Sequence, residues 1–176
     1  MNAVIVDTNV IVIANDTDDK RKDCRDHCQD RIKQIRDQRE TVILDDGWRI
    51  FEEYKRYVDP NTRKRDGDIF VKRLMQNLRN PKICKMVHIA PLAGNGNKFA
   101  EFPNDDEALT GFHKKDQKFI AVALAHKRDA GHTPTILLAI DRGWLQFTDA
   151  LANHEVNVDI ICKKDMQGPR QGRKGR

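Results

Sequence analysis

Residues 3–13 read AVIVDTNVIVI, and this stretch decides the fold class of the chain. β-Branched residues fill both halves of the stretch, and Asp7-Thr8-Asn9 interrupts it. A continuous β-branched run is typical of a strand that is buried on both faces, as in a parallel sheet. We therefore predict a first strand that leads into Asp7, at the edge where parallel sheets commonly bind their ligands.

Strand-like and helix-like segments alternate along the rest of the chain. Short apolar runs predict further strands over residues 41–44, 85–89, 135–140 and 156–162. Helical spacing predicts helices over residues 18–39, 48–58, 67–78, 115–128 and 143–153, and Gly and Asn mark 91–103 as a loop. The alternation predicts an α/β domain over residues 1–162, with a central, mainly parallel sheet of about five strands flanked by helices.

The length and composition favour one ordinary globular domain. The chain has 176 residues, of which 39% are hydrophobic and 34% are charged. No apolar run approaches the roughly 18 residues of a membrane helix, and the first residues lack the basic start of a signal peptide. We therefore expect a cytoplasmic protein without a membrane segment.

The cysteines do not indicate a disulfide scaffold, because there are only four, at Cys24, Cys28, Cys84 and Cys162. We expect reduced thiols, as in other cytosolic proteins. A zinc site formed by Cys24, His27 and Cys28 is an alternative, although no paired CxxC spacing supports it. Helical spacing instead joins Cys24 and Cys28 to Ile32 and Ile35, which is typical of the buried side of a helix.

The basic charge is concentrated at the C-terminus. Residues 163–176 carry six basic side chains and one acidic side chain, which accounts for the whole formal net charge of +5. This segment ends in QGPRQGRKGR, which has no apolar residue, so we predict that residues 163–176 form a basic, disordered tail. The tail would either contact a phosphate backbone or only keep the protein soluble, and the sequence leaves both interpretations open.

Four acids stand where a carboxylate is expected to meet the boundary of the core. Asp7 and Asp141 each follow an apolar strand. Asp116 shares a face with the apolar residues of its helix, and Glu53 lies at the edge of an apolar helix face, whereas Glu52 faces water. Alone, Asp116 would fit a helix cap. Neighbouring strand-end acids would repel each other, and a divalent cation would relieve both this repulsion and the cost of desolvation.

The order of these acids resembles the pattern of the PIN-domain nucleases, in particular the toxin-type PIN ribonucleases. The matching stretches are VIVDTNVIV, the helix with EEY, HKKDQKFIAVALA and ILLAIDRGW, which together span nearly all of residues 1–162. The resemblance implies a three-layer PIN-like fold and a metal-dependent endonuclease that hydrolyses phosphodiester bonds, usually of RNA. It also implies that Mg²⁺ or Mn²⁺ is held, and catalysis carried out, by Asp7, Glu53, Asp116 and Asp141.

Further polar residues near these motifs are candidates for supporting roles. Thr8 and Asn9 either hold Asp7 or a metal-bound water, or serve only as turn residues. An acidic centre repels a polyanion, so nucleic-acid binding needs cations around it. The candidate cations are Lys114, Lys115, Arg142, Arg63, Lys64 and Arg65.

The resemblance also bears on partners and on alternative functions. It implies RNA or single-stranded DNA as the substrate, and a toxin or defence effector that acts with an antitoxin, in a larger complex or as a homodimer. The main alternative is a catalytically inactive PIN-like module that binds RNA or a protein. A receiver-like domain is disfavoured because no lysine ends the fifth strand, and a nucleotide-binding fold is disfavoured because GNGNKF at residues 94–99 lacks phosphate-loop spacing.

Overall fold

A computed structural model describes residues 2–62 and 64–166 and confirms the predicted α/β class. The strands are β1 (Ala3–Val6), β2 (Thr41–Asp45), β3 (Cys84–Val87), β4 (Pro91–Leu92), β5 (Asn95–Phe99), β6 (Thr135–Leu138) and β7 (Asn157–Ile160). Five of them form one parallel sheet in the order β3-β2-β1-β6-β7. Because β1 lies at the centre of this sheet, its carboxyl end is surrounded by the rest of the fold.

Helices flank the sheet and give the three layers that were expected. They are α1 (Thr8–Ala14), α2 (Lys22–Asp37), α3 (Arg49–Tyr57), α4 (Asp66–Gln76), α5 (Gln117–Ala130), α6 (Arg142–Leu145), α7 (Thr148–Asn153) and α8 (Lys163–Met166). Helix α1 packs against α2 and α4, whereas α5 packs against β2, β3 and β6. None of the helices within the described ranges has the length and apolar character needed to span a bilayer.

The first strand leads into Asp7 as predicted, but the second half of the opening stretch is helical although its β-branched residues are typical of a strand. Strand β1 ends at Val6, and the Asp7 carboxylate accepts a hydrogen bond from the Asn9 backbone N–H at 2.8 Å, which starts α1. Val10 and Ile11 are completely buried in α1. Burial of these side chains against the core outweighs the preference of β-branched residues for strands.

Two segments differ from their predicted secondary structure. Residues 91–103, predicted as a loop, contain the antiparallel hairpin β4–β5, whose turn uses Gly94 at a φ of 75°. The predicted helix over residues 143–153 is divided into α6 and α7, with Phe147 between them. Phe147 packs edge-on against Phe112 at 5.3 Å between ring centroids, so tertiary packing interrupts the helix at this point.

The expectation that all cysteines are reduced is also wrong, because Cys24 and Cys162 form a disulfide. Cys24 lies on the buried side of α2, and Cys162 follows β7. Their Cα atoms are 5.3 Å apart although 138 positions separate them in the chain. Sequence spacing carries no information on such a long-range contact, so only the fold reveals this pairing.

Parts of two predictions lie outside the described residues. The segment 163–176, predicted as a disordered basic tail, begins with the short helix α8, and its residues 167–176 are not among those described. Arg63, one of the candidate cations, is likewise outside the described residues.

Candidate active site

The carboxyl ends of β1 and β6 lie side by side, and each leads to an aspartate. The Asp7 backbone N–H donates to the Leu137 carbonyl at 2.9 Å, which extends the pairing of the two strands up to Asp7. The Asp7 carboxylate accepts a hydrogen bond from the Asn9 N–H at 2.8 Å, and the Asp141 carboxylate accepts one from the Gly143 N–H at 2.8 Å. Each aspartate is therefore oriented by the backbone two residues further on, at the first turn of α1 or α6.

Helix α3 brings Glu53 to the same edge of the sheet. The buried carboxylate of Asp45, at the end of β2, accepts hydrogen bonds from the first two backbone N–H groups of α3. The Tyr54 hydroxyl donates to the Val6 carbonyl and ties α3 to the end of β1. The Thr8 hydroxyl then donates to the Glu53 carboxylate at 2.6 Å. Thr8 therefore orients Glu53, whereas the Asn9 backbone orients Asp7.

Asp116 stands at the N-cap position of α5, but its side chain makes no capping hydrogen bond. One carboxylate oxygen instead lies 3.4 Å from His113 Nδ1. The Asp116 side chain therefore does not cap the helix, although capping is the usual role of an isolated aspartate at this position. Helix α5 aims the Asp116 carboxylate toward the other acids, and the charges of Asp141 and Glu53 act to raise its pKa.

Three of these acids line one cleft, and the fourth is buried beside them. Glu53, Asp116 and Asp141 lie in the wall of a cleft of about 840 Å³. Asp7 is only 4% exposed, yet the charges of Asp116 and Asp141 are close enough to raise its pKa. The fold therefore brings the four acids together, as their positions in the sequence predict. They come from the end of β1, from α3, from the start of α5 and from the segment after β6.

Lys118 is a site residue that the sequence did not reveal. Its ammonium lies 2.8 Å from the Glu53 carboxylate and donates a hydrogen bond to the Lys115 carbonyl, and its side chain is only 7% exposed. A lysine within HKKDQK suggests a solvated surface charge. The one available signal is that Lys118 directly precedes FIAVALA, the apolar run of α5, where an ordinary surface residue is not expected.

Two of the four acids, Asp7 and Asp116, have raised pKa values. The pKa of Asp7 is raised to about 7, mainly by burial and also by the charges of Asp116 and Asp141, against the lowering effects of the Asn9 N–H and of Lys118. Burial also raises the pKa of Asp116, although Lys118 and His113 act in the opposite direction. Raised carboxylate pKa values around one cleft are the electrostatic condition under which a bound cation is most favourable.

The donor set fits a hard divalent cation such as Mg²⁺ or Mn²⁺, because it consists of carboxylate oxygens. Within the described ranges, no three of these acids bring one oxygen each within 4.8 Å of one another. One ion would therefore contact one or two carboxylates and keep several waters, which is the usual arrangement for Mg²⁺ in proteins. A separate buried group, Cys24, Cys28 and Cys162, does meet that spacing, but its sulfur atoms do not suit these hard ions.

Four cations line the cleft, namely Lys118 and three others, and of these four only Lys115 was predicted. Lys115, Arg56 and Arg49 share the cleft wall with the acids. Arg49 lies 3.4 Å from the Asp45 carboxylate and over the ring of Phe99, so its charge is partly engaged within the fold. Arg56 and Lys115 form no ion pair with a carboxylate of the described residues. These two side chains are exposed and available to an anionic ligand.

The other candidate cations among the described residues are not part of the cleft wall. Lys114 lines a neighbouring depression, and Arg142, the first residue of α6, directly follows the site residue Asp141. Arg65 pairs with the buried Asp68 at 2.9 Å, so its guanidinium serves to hold the segment before α4. Lys64 is exposed in that same segment.

Comparisons of the chain with models of known protein families, with curated proteins and with solved structures find no match. The chemistry of the cleft therefore has to be inferred from its own residues.

We predict that Asp7→Asn stabilises the protein when no metal is present. The folded state holds the pKa of Asp7 at about 7 and the unfolded state at 3.8, so ionisation of Asp7 opposes folding increasingly as the pH rises between these values. The variant should gain up to about 4 kcal/mol at about pH 8, and less at about pH 5. Urea unfolding in EDTA at both pH values measures this gain.

The exposed residue Asp30 on α2 provides the control. Asp30→Asn removes the same charge from solvent and should change the free energy of unfolding by no more than about 0.5 kcal/mol. An Asp7→Asn protein that is less stable than wild type at both pH values would contradict the electrostatic description of the site.

Proposed function

We propose that this chain is a PIN-like, metal-dependent endonuclease that hydrolyses phosphodiester bonds of RNA. The observation that carries the proposal is the convergence of four carboxylates at one cleft, with the pKa of Asp7 and of Asp116 raised by burial. Four acids held together in this way favour a bound divalent cation over the empty site. Hydrolysis of a phosphodiester is the reaction for which such oxygen-rich sites are widely used.

A bound Mg²⁺ or Mn²⁺ would activate a water molecule and neutralise charge on the phosphate and on the leaving oxygen. Glu53, Asp116 and Asp141 face the cleft and are the groups that would hold it, with Asp7 beside them. Thr8 fixes the orientation of Glu53 through a hydrogen bond to its carboxylate. Because water is the nucleophile in this scheme, no serine, cysteine or lysine nucleophile is required.

The cleft also suits a polyanionic substrate. Arg56 and Lys115 are exposed on its wall, where they can contact phosphate groups next to the acids. We further propose a cytoplasmic location, where the Cys24–Cys162 disulfide would form only under oxidising conditions. The roles as a toxin or defence effector, with an antitoxin, a larger complex or a homodimer, stay predictions of the family resemblance.

One observation favours a second candidate, a catalytically inactive module that binds RNA or a protein. The Lys118 ammonium lies 2.8 Å from the Glu53 carboxylate and so supplies positive charge inside the site without any metal. An internal lysine of this kind could replace the cation permanently. The nuclease would cleave RNA only when a metal ion is bound, whereas the inactive module would bind RNA or a protein and cleave nothing with or without a metal ion.

We predict that Asp7→Asn, Asp116→Asn and Asp141→Asn each lower the cleavage rate by at least about 100-fold, because each removes a carboxylate from the metal site. End-labelled single-stranded RNA and DNA, incubated with Mn²⁺, Mg²⁺ or EDTA, provide the assay. Circular dichroism of each variant establishes that the fold is intact.

The adjacent glutamates of α3 give a matched pair of controls. Both glutamates line the cleft, but Glu53 bonds Thr8 and Lys118 beside the other acids, whereas Glu52 pairs with Lys55 at 2.6 Å. Glu53→Gln should lose activity and Glu52→Gln should retain it. If wild type does not cleave in any metal, or if two of the three aspartate variants cleave at the wild-type rate, the nuclease proposal is wrong.

A further inference from the structure

The cleft has an exposed aromatic side chain on its wall. The spacing of apolar residues in α3 assigns Tyr57 to the buried side of the helix together with Tyr54. Tyr54 is indeed completely buried, but Tyr57 is 62% exposed and lines the cleft. The large Tyr57 ring is therefore exposed to solvent, next to the acids that would bind the metal ion.

Tyr57 lies one helical turn beyond Glu53, or about 6 Å along the axis of α3. Arg56 precedes Tyr57 in the chain, and both Arg56 and Lys115 line the same cleft without an ion-pair partner among the described residues. Aromatic rings alternating with exposed cations are the surface chemistry that binds single-stranded nucleic acids, because bases stack on the rings while cations contact the phosphates.

We propose that Tyr57 is a base-stacking residue that selects single-stranded nucleic acid for this cleft. The inference rests on the proposed nuclease function, which it extends by naming how the substrate strand is held. An unpaired base stacks on the Tyr57 ring, and Arg56 and Lys115 contact the phosphates on either side of that nucleotide. The adjoining phosphodiester is thereby positioned one helical turn away, at Glu53 and the other acids.

Binding in EDTA tests this proposal without any contribution from cleavage. The probe is a short fluorescein-labelled single-stranded RNA, and fluorescence anisotropy measures its affinity. Tyr57→Ala should weaken binding by about 5- to 150-fold, the loss expected for one stacked base. Tyr57→Phe keeps the ring and should bind like wild type. Arg56→Ala and Lys115→Ala should each reduce the slope of log K against log salt concentration by about 0.7.

Two controls separate stacking from a general loss of binding. Ile69 is exposed on α4, away from the cleft, so Ile69→Ala should leave the affinity unchanged. In a duplex of the same sequence no base is free to stack, so its affinity should not depend on Tyr57. If Tyr57→Ala binds single strands as tightly as wild type, the stacking inference is wrong. Metal-dependent cleavage by wild type would then still support the nuclease proposal.

A second and independent inference comes from the buried cysteines. Cys24 and Cys28 lie one turn apart on the same side of α2. Cys24 forms the disulfide with Cys162, and the Cys28 sulfur lies 3.9 Å from the Cys162 sulfur. One cysteine beyond β7 thus faces two cysteines of the same helix, and either could serve as its disulfide partner.

We infer that Cys162 can exchange its disulfide partner between Cys24 and Cys28. The Cys28 thiolate attacks the Cys162 sulfur, the Cys28–Cys162 bond forms, and the Cys24–Cys162 bond breaks. Cys24 leaves as a thiolate and takes up a proton, which balances the proton that Cys28 released. The exchange therefore involves no net oxidation. A disulfide compound such as oxidised glutathione would form the first bond by accepting two electrons. Either disulfide links α2 to Cys162, the residue directly before α8.

Peptide mapping by mass spectrometry, after equilibration with oxidised glutathione, tests the exchange. Cys24→Ser should form a Cys28–Cys162 disulfide, and Cys28→Ser should keep the Cys24–Cys162 disulfide. Cys162→Ser should form neither, and the buried Cys84 of β3 should stay reduced in every variant. A folded Cys24→Ser protein without a Cys28–Cys162 disulfide would overturn the inference.

Discussion

The burial of a carboxylate at the end of the central strand is the constraint on which the site depends. Asp7 follows β1 with only 4% of its surface exposed, and this burial raises its pKa to about 7. The Asn9 N–H and the Lys118 ammonium counteract the cost of the buried charge, whereas Asp116 and Asp141 add to it. An acid that is buried at the centre of a sheet and only partly compensated is costly, and binding of a cation would offset this cost.

The surrounding elements hold the other groups in place around Asp7. The Tyr54 hydroxyl bonds the Val6 carbonyl and anchors α3, and the Thr8 hydroxyl at the start of α1 bonds Glu53. Lys118 joins α5 to α3 through its ion pair with Glu53. Metal binding would therefore require Glu53 to exchange one positively charged partner for another. Any affinity of the site for a metal ion would depend on this competition as well as on the number of acids.

The sequence predicts the features that depend on local pattern. Apolar strands and the helix-borne acids are visible as periodicities, and strands that run parallel bring Asp7 and Asp141 to one edge of the sheet. The sequence does not predict the helical conformation of α1, where burial outweighs β-propensity, or the pairing of Cys24 with Cys162. The burial of Lys118 likewise depends on contacts between segments that are distant in the chain.

Titration of the protein with Mn²⁺, followed by electron paramagnetic resonance of the free ion, tests the central claim most directly. Wild type should bind Mn²⁺, and Glu53→Gln should weaken binding by at least about 10-fold. Lys118→Met should bind Mn²⁺ more tightly, because this variant removes the ammonium that competes for Glu53. If wild type binds no Mn²⁺, or binds it with the same affinity as Glu53→Gln, the cleft is not the metal site described above.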